Sequence, residues 1–503
     1  MKMKNVFKIN KKYTVNISRD EKEIYEDDYI VKSIGECGLF QISVCSIVTM
    51  TRFIGIWNCL SVLFLIPAQS FRCIHFKENG TIHPENFTCY SDCIEYEYSQ
   101  EIFEETVISK FNLICDRAWL ANFTQTALMF GVLAGVSTFC WMSDRFGRGK
   151  AIFLAGLTNI AFMIAIIFST NYFMFLCFRF GIGVGSGGFL GLSSIIIAET
   201  VGASYREMGV SLGLVPDGFA QASLAAFAYY SSTWKMYLFG FTVVSILIVV
   251  LLFFVPESPR WLVANGKSDA AIEVLTKAAK INKRSPTEIE NIVAQRISEI
   301  KIKESDAQYH TYFDLFRTKE LAVITVSSII SLFVSGISFF GINEYISRLG
   351  SSLNIYLIVM IMGLGVTPTV PMSMVIAKRC NRRSSSAISL LITAIAMGLL
   401  IFVPADTWYS ILLGVIAVAA SCVTFSIQFT FVTELYPTSM RSMGFGLNTG
   451  GTKLGAMMAP FVASSKPFWV APLIFCILPI IAIVFTLILP ETKGKKLKDT
   501  LKE

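Results

Sequence analysis

The chain has 503 residues, of which 53% are hydrophobic and 16% charged, and its formal net charge is +7 at pH 7. Because a soluble globular domain carries about 25% charged residues, this composition excludes an ordinary soluble protein and indicates several membrane spans. The positive charge does not indicate nucleic-acid binding, since no basic stretch is interleaved with aromatic residues.

Twelve apolar segments recur along the chain, and each is long enough to cross the hydrocarbon core of a bilayer. The predicted spans are 42–67, 120–142, 151–170, 172–195, 208–230, 236–255, 321–341, 353–376, 386–404, 408–430, 442–463 and 469–489. The segment before them is charged and rich in lysine, and the first span is longer than the apolar core of a signal peptide. We therefore expect an uncleaved anchor after a tail of residues 1–37.

The distribution of charge predicts the orientation of the spans. Lys and Arg crowd the turns "DRFGRGK" at 144–150 and "KRCNRR" at 378–383 and the tail "KGKKLK" at 493–498, whereas the loop 71–118 is rich in acidic residues. By the positive-inside rule, both termini lie in the cytosol and the 71–118 loop lies outside.

The outside loop has four cysteines, which in an oxidising compartment indicate two disulfides in any of three pairings. They are Cys73, Cys89, Cys93 and Cys115. The alternative is a zinc site that uses His75 or His83. The loop also carries glycosylation sequons at Asn79 and Asn86, while a third sequon, at Asn122, lies at the mouth of a span, where we expect no modification.

An internal repeat divides the chain into two halves. "DRFGR" begins at Asp144 and its degenerate copy "KRCNRR" at Lys378, an offset of 378 − 144 = 234, and Pro256 and Pro490 are separated by the same number. The sequence therefore predicts two six-span halves, 38–255 and 321–490, joined by a helical linker at 256–320 and followed by a tail at 491–503. Parallel halves of this kind are a transporter architecture, with the substrate site between them near the midplane.

Charged residues recur at the turns of both halves, and we predict that they gate the protein. Glu199 and Arg206 are matched, at an offset of 235, by Glu434 and Arg441. With Asp144, Arg145 and Arg148 they are placed to form ion pairs across the halves, and these pairs would break when the cytosolic side opens. The alternative is that they only fix the topology.

The segment "GIGVGSGGFLG" at 181–191 contains the spacing of a dinucleotide-binding fingerprint, but it lies inside a span and not after a strand. Small residues four apart instead predict close helix packing. The three histidines all lie outside the predicted spans, and no nucleotide-binding G-x-x-x-x-G-K-[ST] loop is present. We expect no enzymatic activity, cofactor, metal site, nucleotide or nucleic-acid partner.

Several motifs together resemble a known family. "DRFGR" with "PESPRW" at 256–261 is similar to the major facilitator superfamily. The cysteine-rich loop, "CGLFQ" at 37–41, "YFDLFRT" at 312–318 and "TELYPTSMR" at 433–441 more narrowly resemble the organic cation/anion/carnitine transporters. The resemblance implies an all-α fold of twelve transmembrane helices in two pseudo-symmetric halves, and ATP-independent transport of small organic ions across the plasma membrane by alternating access.

The resemblance also bears on individual residues. Relatives present aromatic side chains to the cavity at four positions, although packing is the alternative for each: Phe339, Phe340, Phe425 and Phe429. The second turn departs from the family pattern at Lys378 and Asn381, so the gate is expected to depend mainly on the N-terminal half.

Five charged residues lie within predicted spans or, in the case of Glu344, just beyond the end of one, where ionisable groups are functional candidates. They are Arg52, Arg179, Asp217, Glu344 and Lys453. Arg179 and Glu344 are near span ends and could reach water, and the role of Arg52 stays open.

Lys453 occupies a position that resembles an aspartate site in relatives that carry cations and an arginine site in those that carry anions or carnitine. We therefore expect an organic anion or zwitterion, bound through its carboxylate to Lys453. Asp217 lies at the equivalent level of the fifth span and either neutralises Lys453 or holds the other end of a zwitterion. An organic cation transporter and a transporter-like receptor that moves nothing are the alternatives.

Overall fold

Long helices dominate the computed structural model, which describes residues 29–76, 85–304, 312–349, 354–404, 407–436 and 440–493. The sequon at Asn79, His83 and most of both predicted tails lie outside the described residues. Eleven helices of this part are long and apolar enough to cross a membrane. We number the spans in chain order: span 1 Leu39–Leu65, span 2 Cys115–Phe146, span 3 Arg148–Ile167, span 4 Tyr172–Thr200, span 5 Met208–Tyr229, span 6 Trp234–Phe254, span 7 Lys319–Leu349, span 8 Ile355–Ala377, span 9 Arg382–Leu400, span 10 Trp408–Leu435 and span 12 Val470–Ile488.

Span 11 is the helix Arg441–Ala463, which falls short of the apolar character of the other eleven. Polar side chains and glycines occupy much of it, in the segment "NTGGTKLG" at 448–455. At roughly 1.5 Å per residue its 23 residues still cover the thickness of a bilayer. The twelve-span all-α architecture predicted from the sequence is therefore confirmed.

Three spans are broken into two α-helices each. They consist of Leu39–Leu60 and Val62–Leu65 (span 1), Ala203–Leu212 and Pro216–Tyr229 (span 5), and Ile355–Val366 and Thr369–Arg379 (span 8). Pro216 begins the second helix of span 5, and Pro368 precedes the second helix of span 8. Proline has no backbone N–H to donate within a helix, so it favours a break where it stands.

The glycine-rich segment of span 4 is a helix surface packed against two neighbours. A Cβ built on Gly183 would lie 2.1 Å from the carbonyl oxygen of Leu128 in span 2, and one built on Gly185 would lie 2.7 Å from the Cα of Asn159 in span 3. Only glycine permits backbones to approach this closely. The segment is therefore a packing motif and not a nucleotide loop.

One end of the bundle carries a two-stranded antiparallel sheet, and we call this end the sheet side. Strand β1 (Phe71–Phe76) pairs with β2 (Cys93–Tyr98), and the short helix Val107–Phe111 follows. Two disulfides join the loop, Cys73–Cys93 and Cys89–Cys115. With all four sulfurs bonded, none is available as a zinc ligand.

The opposite end carries the linker, and we call it the linker side. Its helices are Pro259–Ala264, Ser268–Ile281 and Ile289–Glu304, and a 3-10 turn at Tyr312–Phe316 leads into span 7. Asn282 fixes the linker to the beginning of span 1, because its Oδ1 accepts from the backbone N–H of Phe40 over 2.9 Å and its Nδ2 donates to the carbonyl of Ile34 over 2.9 Å. The short helix Tyr29–Ile34 packs against the linker helices Ser268–Ile281 and Ile289–Glu304.

Spans 2 and 11 meet across the boundary between the halves near the sheet side. Asn122 Nδ2 donates to Ser464 Oγ over 2.7 Å, and Thr126 Oγ1 donates to the carbonyl oxygen of Met457 over 2.9 Å. The Asn122 side chain is buried and its amide nitrogen is occupied, which gives a structural reason for the expectation that this sequon is not modified.

Span 5 also joins the two halves. A Cβ built on Gly218 would lie 2.6 Å from the carbonyl oxygen of Gly363 in span 8. One turn further along, Gln221 Nε2 donates to Asn343 Oδ1 of span 7 over 2.6 Å, and both amides are buried. These contacts hold the halves together from the middle of the bundle towards the sheet side.

Candidate functional site

Three charged side chains meet near the middle of spans 1, 5 and 11, where the halves face each other. Arg52 and Asp217 form a two-point ion pair: Arg52 Nε donates to Oδ1 over 2.8 Å, and Nη2 to Oδ2 over 2.6 Å. The Arg52 side chain is 8% exposed and that of Asp217 is 21% exposed. The pair therefore neutralises itself within the N-terminal half, and this assigns the partner of Arg52 that the sequence left open.

Trp57 fixes the two helices that carry this pair. One turn beyond Arg52 in span 1, its indole Nε1 donates to the carbonyl of Ala220 over 3.1 Å and to Ser223 Oγ over 2.8 Å, both in span 5. Because buried indole nitrogens require an acceptor, this contact sets the register of span 1 against span 5.

Lys453 reaches from span 11 towards this pair without joining it. It lies close enough to Cys59, Arg52 and Asp217 to interact with them electrostatically, and it is 9% exposed. Among the described residues, its Nζ has neither a hydrogen-bond acceptor nor a carboxylate within ion-pair distance. Arg52 thus takes the place at Asp217 that the first of the two alternatives gave to Lys453, and Lys453 has no counter-charge within ion-pair distance among the described residues.

The four predicted aromatic residues lie together in the C-terminal half. Ring-centroid distances are 5.2 Å for Phe339 with Phe340, 6.4 Å for Phe339 with Phe425, and 4.5 Å for Phe425 with Phe429. Phe445 of span 11 extends the set, 5.4 Å from Phe429, and was not singled out from the sequence. The rings give spans 7, 10 and 11 a continuous apolar wall.

The two charges near span ends that could have reached water are buried. Arg179 is 0% exposed and its Nη1 donates to Ser61 Oγ over 3.0 Å. Glu344 is 4% exposed and accepts from Arg348, four residues further along span 7. Neither side chain is therefore open to solvent.

A charge network binds the linker-side ends of spans 2, 3 and 4 together. Arg148 Nη2 donates to Glu199 over 2.9 Å and Nη1 donates to Asp144 over 2.7 Å. Glu257, just after span 6, accepts from the backbone N–H groups of Arg148 and Gly149. Arg145 points elsewhere, with its guanidinium over the ring of Trp141 at 5.7 Å.

The C-terminal half repeats this network. Arg382 Nη2 donates to Glu434 over 3.0 Å, and Glu491 accepts from the backbone N–H groups of Arg382 and Arg383 over 2.9 and 3.1 Å. The offsets from the first network are 382 − 148 = 234, 434 − 199 = 235 and 491 − 257 = 234. The sequence analysis did not single out Arg382, Glu257 and Glu491 as members of these networks. The repeat offset was the signal that could have found them, since it relates Arg382 to Arg148 and Glu491 to Glu257.

These networks differ from the predicted gate in their partners. Glu199 and Glu434 are bonded to Arg148 and Arg382 of their own half, not across the halves. Arg206 Nε donates to the carbonyl of Ala198 over 3.2 Å. Arg441 has two buried guanidinium nitrogens, Nε and Nη2, without a partner among the described residues. In this arrangement the charges stiffen each half. The side chain of Lys378, at the degenerate turn, lies outside the described residues.

Comparison with known proteins agrees with this geometry. Residues 44–501 match the family model described as sugar (and other) transporter. The chain is 27% identical to the "Organic cation transporter protein" of Drosophila melanogaster over 95% of its length and 94% of that protein, and 28% identical to the human "Organic cation/carnitine transporter 2" over 81% of its length and 73% of that protein. The structure of the Escherichia coli xylose transporter XylE in its inward open conformation superposes with a TM-score of 0.68 at 18% identity, covering 91% of this chain and 98% of that one.

The twelve spans in two repeated halves, with buried charges at their boundary, define a multi-pass membrane transporter of the major facilitator fold. The chain belongs to the sugar (and other) transporter family. The resemblance to the organic cation, anion and carnitine transporters is confirmed, as is the expectation that the protein is not an enzyme.

Proposed function

We propose that the protein carries small organic anions or zwitterions across the plasma membrane by alternating access, with the substrate carboxylate bound to Lys453. The observation that supports this most is the charge balance at the midplane. Arg52 and Asp217 compensate each other, whereas Lys453 is uncompensated among the described residues. An uncompensated charge at this depth costs several kcal/mol, and a bound carboxylate offsets that cost.

The aromatic wall supports an amphiphilic substrate. Phe445 lies eight residues before Lys453 on span 11, roughly 12 Å along the helix at 1.5 Å per residue. A carboxylate at Lys453 would therefore leave the apolar part of a small organic ion on the side of the bundle where Phe425, Phe429 and Phe445 lie. A zwitterion would place its cationic group against these rings, because both oxygens of Asp217 are engaged by Arg52.

The alternative of an organic cation is favoured by the names of the relatives, and it requires Asp217 to leave Arg52 and pair with substrate. The receptor alternative was favoured by the degenerate turn at Lys378 and Asn381. That support weakens because the same turn continues into Arg382, which pairs with Glu434 as Arg148 pairs with Glu199.

We propose the gating and topology as follows. Asp144, Arg148 and Glu199, with Glu434 and Arg382, hold the linker-side ends of each half rigid, while Arg145, Arg206 and Arg441 take up ion pairs across the halves when this side closes. The linker side and both termini face the cytosol, and the sheet side, with Asn86 exposed, faces outwards and is glycosylated. The halves are 38–255 and 321–490, with the linker 256–320 between them.

Uptake into proteoliposomes without ATP tests the substrate proposal. Wild-type protein should accumulate a labelled aromatic carboxylate with a saturable rate. Lys453→Ala should abolish that uptake, Lys453→Arg should retain most of it, and Lys453→Asp should favour organic cations. Leu454→Ala is the matched control. Leu454 is the next residue on the same helix and its side chain is half exposed, so this variant should leave uptake unchanged.

The proposal is wrong if wild-type protein accumulates only quaternary amines and Lys453→Ala has no effect. Saturable binding without accumulation of any ion would favour the receptor alternative, and strict dependence on nucleotide would exclude this mechanism of transport.

A further inference from the structure

In the interior of the N-terminal half, one edge of the Arg179 guanidinium has no hydrogen-bond partner among the described residues. Its side chain is 0% exposed, and only Nη1 has a partner among the described residues, the hydroxyl of Ser61 at 3.0 Å. Nε and Nη2 are both buried without a partner. These two nitrogens form one edge of the planar guanidinium and point their N–H groups in the same direction, which is the edge that grips an anion at two points.

Other arginines of this chain show what that edge normally holds. In Arg52 it grips both oxygens of Asp217, at 2.8 and 2.6 Å. In Arg148, Nε and Nη2 donate to Glu199, and in Arg382 they donate to Glu434. Each of these three has a carboxylate at this edge, although all three are more exposed than Arg179.

No carboxylate of the described residues takes that position at Arg179. The groups close enough to interact with its charge are Cys59, Tyr172 and Tyr237. Tyr237, in span 6, is also 0% exposed, and its hydroxyl is a second buried polar group without a partner in the described part of the chain. An isolated cation and an unbonded hydroxyl in a closed interior each cost free energy, and the cation costs several kcal/mol.

We propose that Arg179 binds a small inorganic anion of the size of chloride. Nε–H and Nη2–H donate to the anion, and the Tyr237 hydroxyl supplies a third donor. Because both side chains are fully buried, the ligand we propose is a small anion and not an organic substrate. The site lies within the N-terminal half, on spans 1, 4 and 6, and is distinct from Lys453 on span 11. Its function is to compensate a buried charge and stabilise this half in both transport states.

Thermal unfolding of the purified protein tests the proposal. Sodium chloride is titrated against sodium gluconate at constant ionic strength, because gluconate is too large for the site. In wild-type protein, chloride should raise Tm saturably by about 2 °C or more, and bromide should act in the same way. Arg179→Gln should abolish the difference between the two salts, and Tyr237→Phe should raise the chloride concentration at half-effect several-fold.

Lys453→Gln is the control that separates this site from the substrate site. It should lose carboxylate uptake and keep the full effect of chloride on Tm. The proposal is overturned if wild-type protein has the same Tm in chloride and gluconate. It is also overturned if chloride still raises the Tm of Arg179→Gln. A third contradicting result is that the effect of chloride on Tm disappears in Lys453→Gln but is unchanged in Tyr237→Phe. Should Arg179→Gln fail to fold, the wild-type titration and Tyr237→Phe decide the question.

Discussion

At the scale of single residues, the partner of a buried charge decides what that charge can do. Asp217 and Lys453 occupy equivalent levels of spans 5 and 11, and by the repeat alone they are candidates to neutralise each other. Arg52 takes both oxygens of Asp217 instead. A guanidinium matches a carboxylate at two points, whereas an ammonium is a single point charge, so arginine outcompetes lysine for the same acid.

The Arg52–Asp217 pair should respond strongly to the loss of one partner. Asp217→Asn and Arg52→Gln should each destabilise the protein by about 3 kcal/mol, because each leaves a buried charge without its counter-charge. The double variant should lose clearly less than the sum of the two. Thermal unfolding of the four proteins in one detergent measures this. The exposed pair Arg72–Glu97 of the sheet is the control, and Arg72→Gln should cost about 1 kcal/mol or less. Additive losses at positions 52 and 217 would contradict the pairing.

At the scale of elements, glycines determine where helices cross, and two crossings have different consequences. A Cβ built on Gly131 would lie 2.1 Å from the carbonyl oxygen of Phe180, so this glycine lets spans 2 and 4 pack closely within one half. Gly218 lies against Thr367 and Gly363, so it lets spans 5 and 8 pack closely across the boundary between the halves. The first crossing belongs to a rigid unit, while the second must loosen when the halves rock.

We therefore expect different outcomes from the same substitution at these glycines. Gly131→Ala should lower Tm, because the added methyl separates two helices that never part. Gly218→Ala should leave Tm closer to wild type and shift the population towards a sheet-side-open state. A cysteine placed at Ser464 in a background without the exposed native cysteines reports this state, and its labelling by an impermeant maleimide should accelerate. Equal labelling rates with and without Gly218→Ala would contradict the assignment of this crossing.

At the scale of the whole molecule, transport requires the sheet-side contacts to separate. Asn122 and Ser464 are in hydrogen-bond contact across the halves. Asn122→Cys combined with Ser464→Cys should form a disulfide under mild oxidation and stop uptake by holding the sheet side closed. Each single variant, oxidised in the same way, should keep its uptake. Full uptake in the oxidised double variant, with the crosslink verified by mass spectrometry, would exclude separation at this point.

Much of the fold follows from the sequence because it depends on local properties. Span length, the 234-residue repeat and the acidic loop are each readable from composition and order, whereas the four phenylalanines were proposed only through the resemblance to relatives. Side-chain partners are not local. The disulfides were one of three pairings, and the choice of Arg148 over Arg206 for Glu199 depends on where three helix ends meet. Enclosure of Arg179 likewise depends on neighbours far away in the chain.

Span 11 has a consequence for how the protein is made. Its glycines, its polar side chains and Lys453 make it the least apolar of the twelve spans, so a translocon that partitions helices one at a time would release it poorly into lipid. Span 12 is far more apolar and follows after a short turn. Biogenesis should therefore insert the two as a hairpin, and a chain that ends at Ala463 should leave span 11 in the aqueous phase. The helix that gives the carrier its charge enters the membrane only with its neighbour.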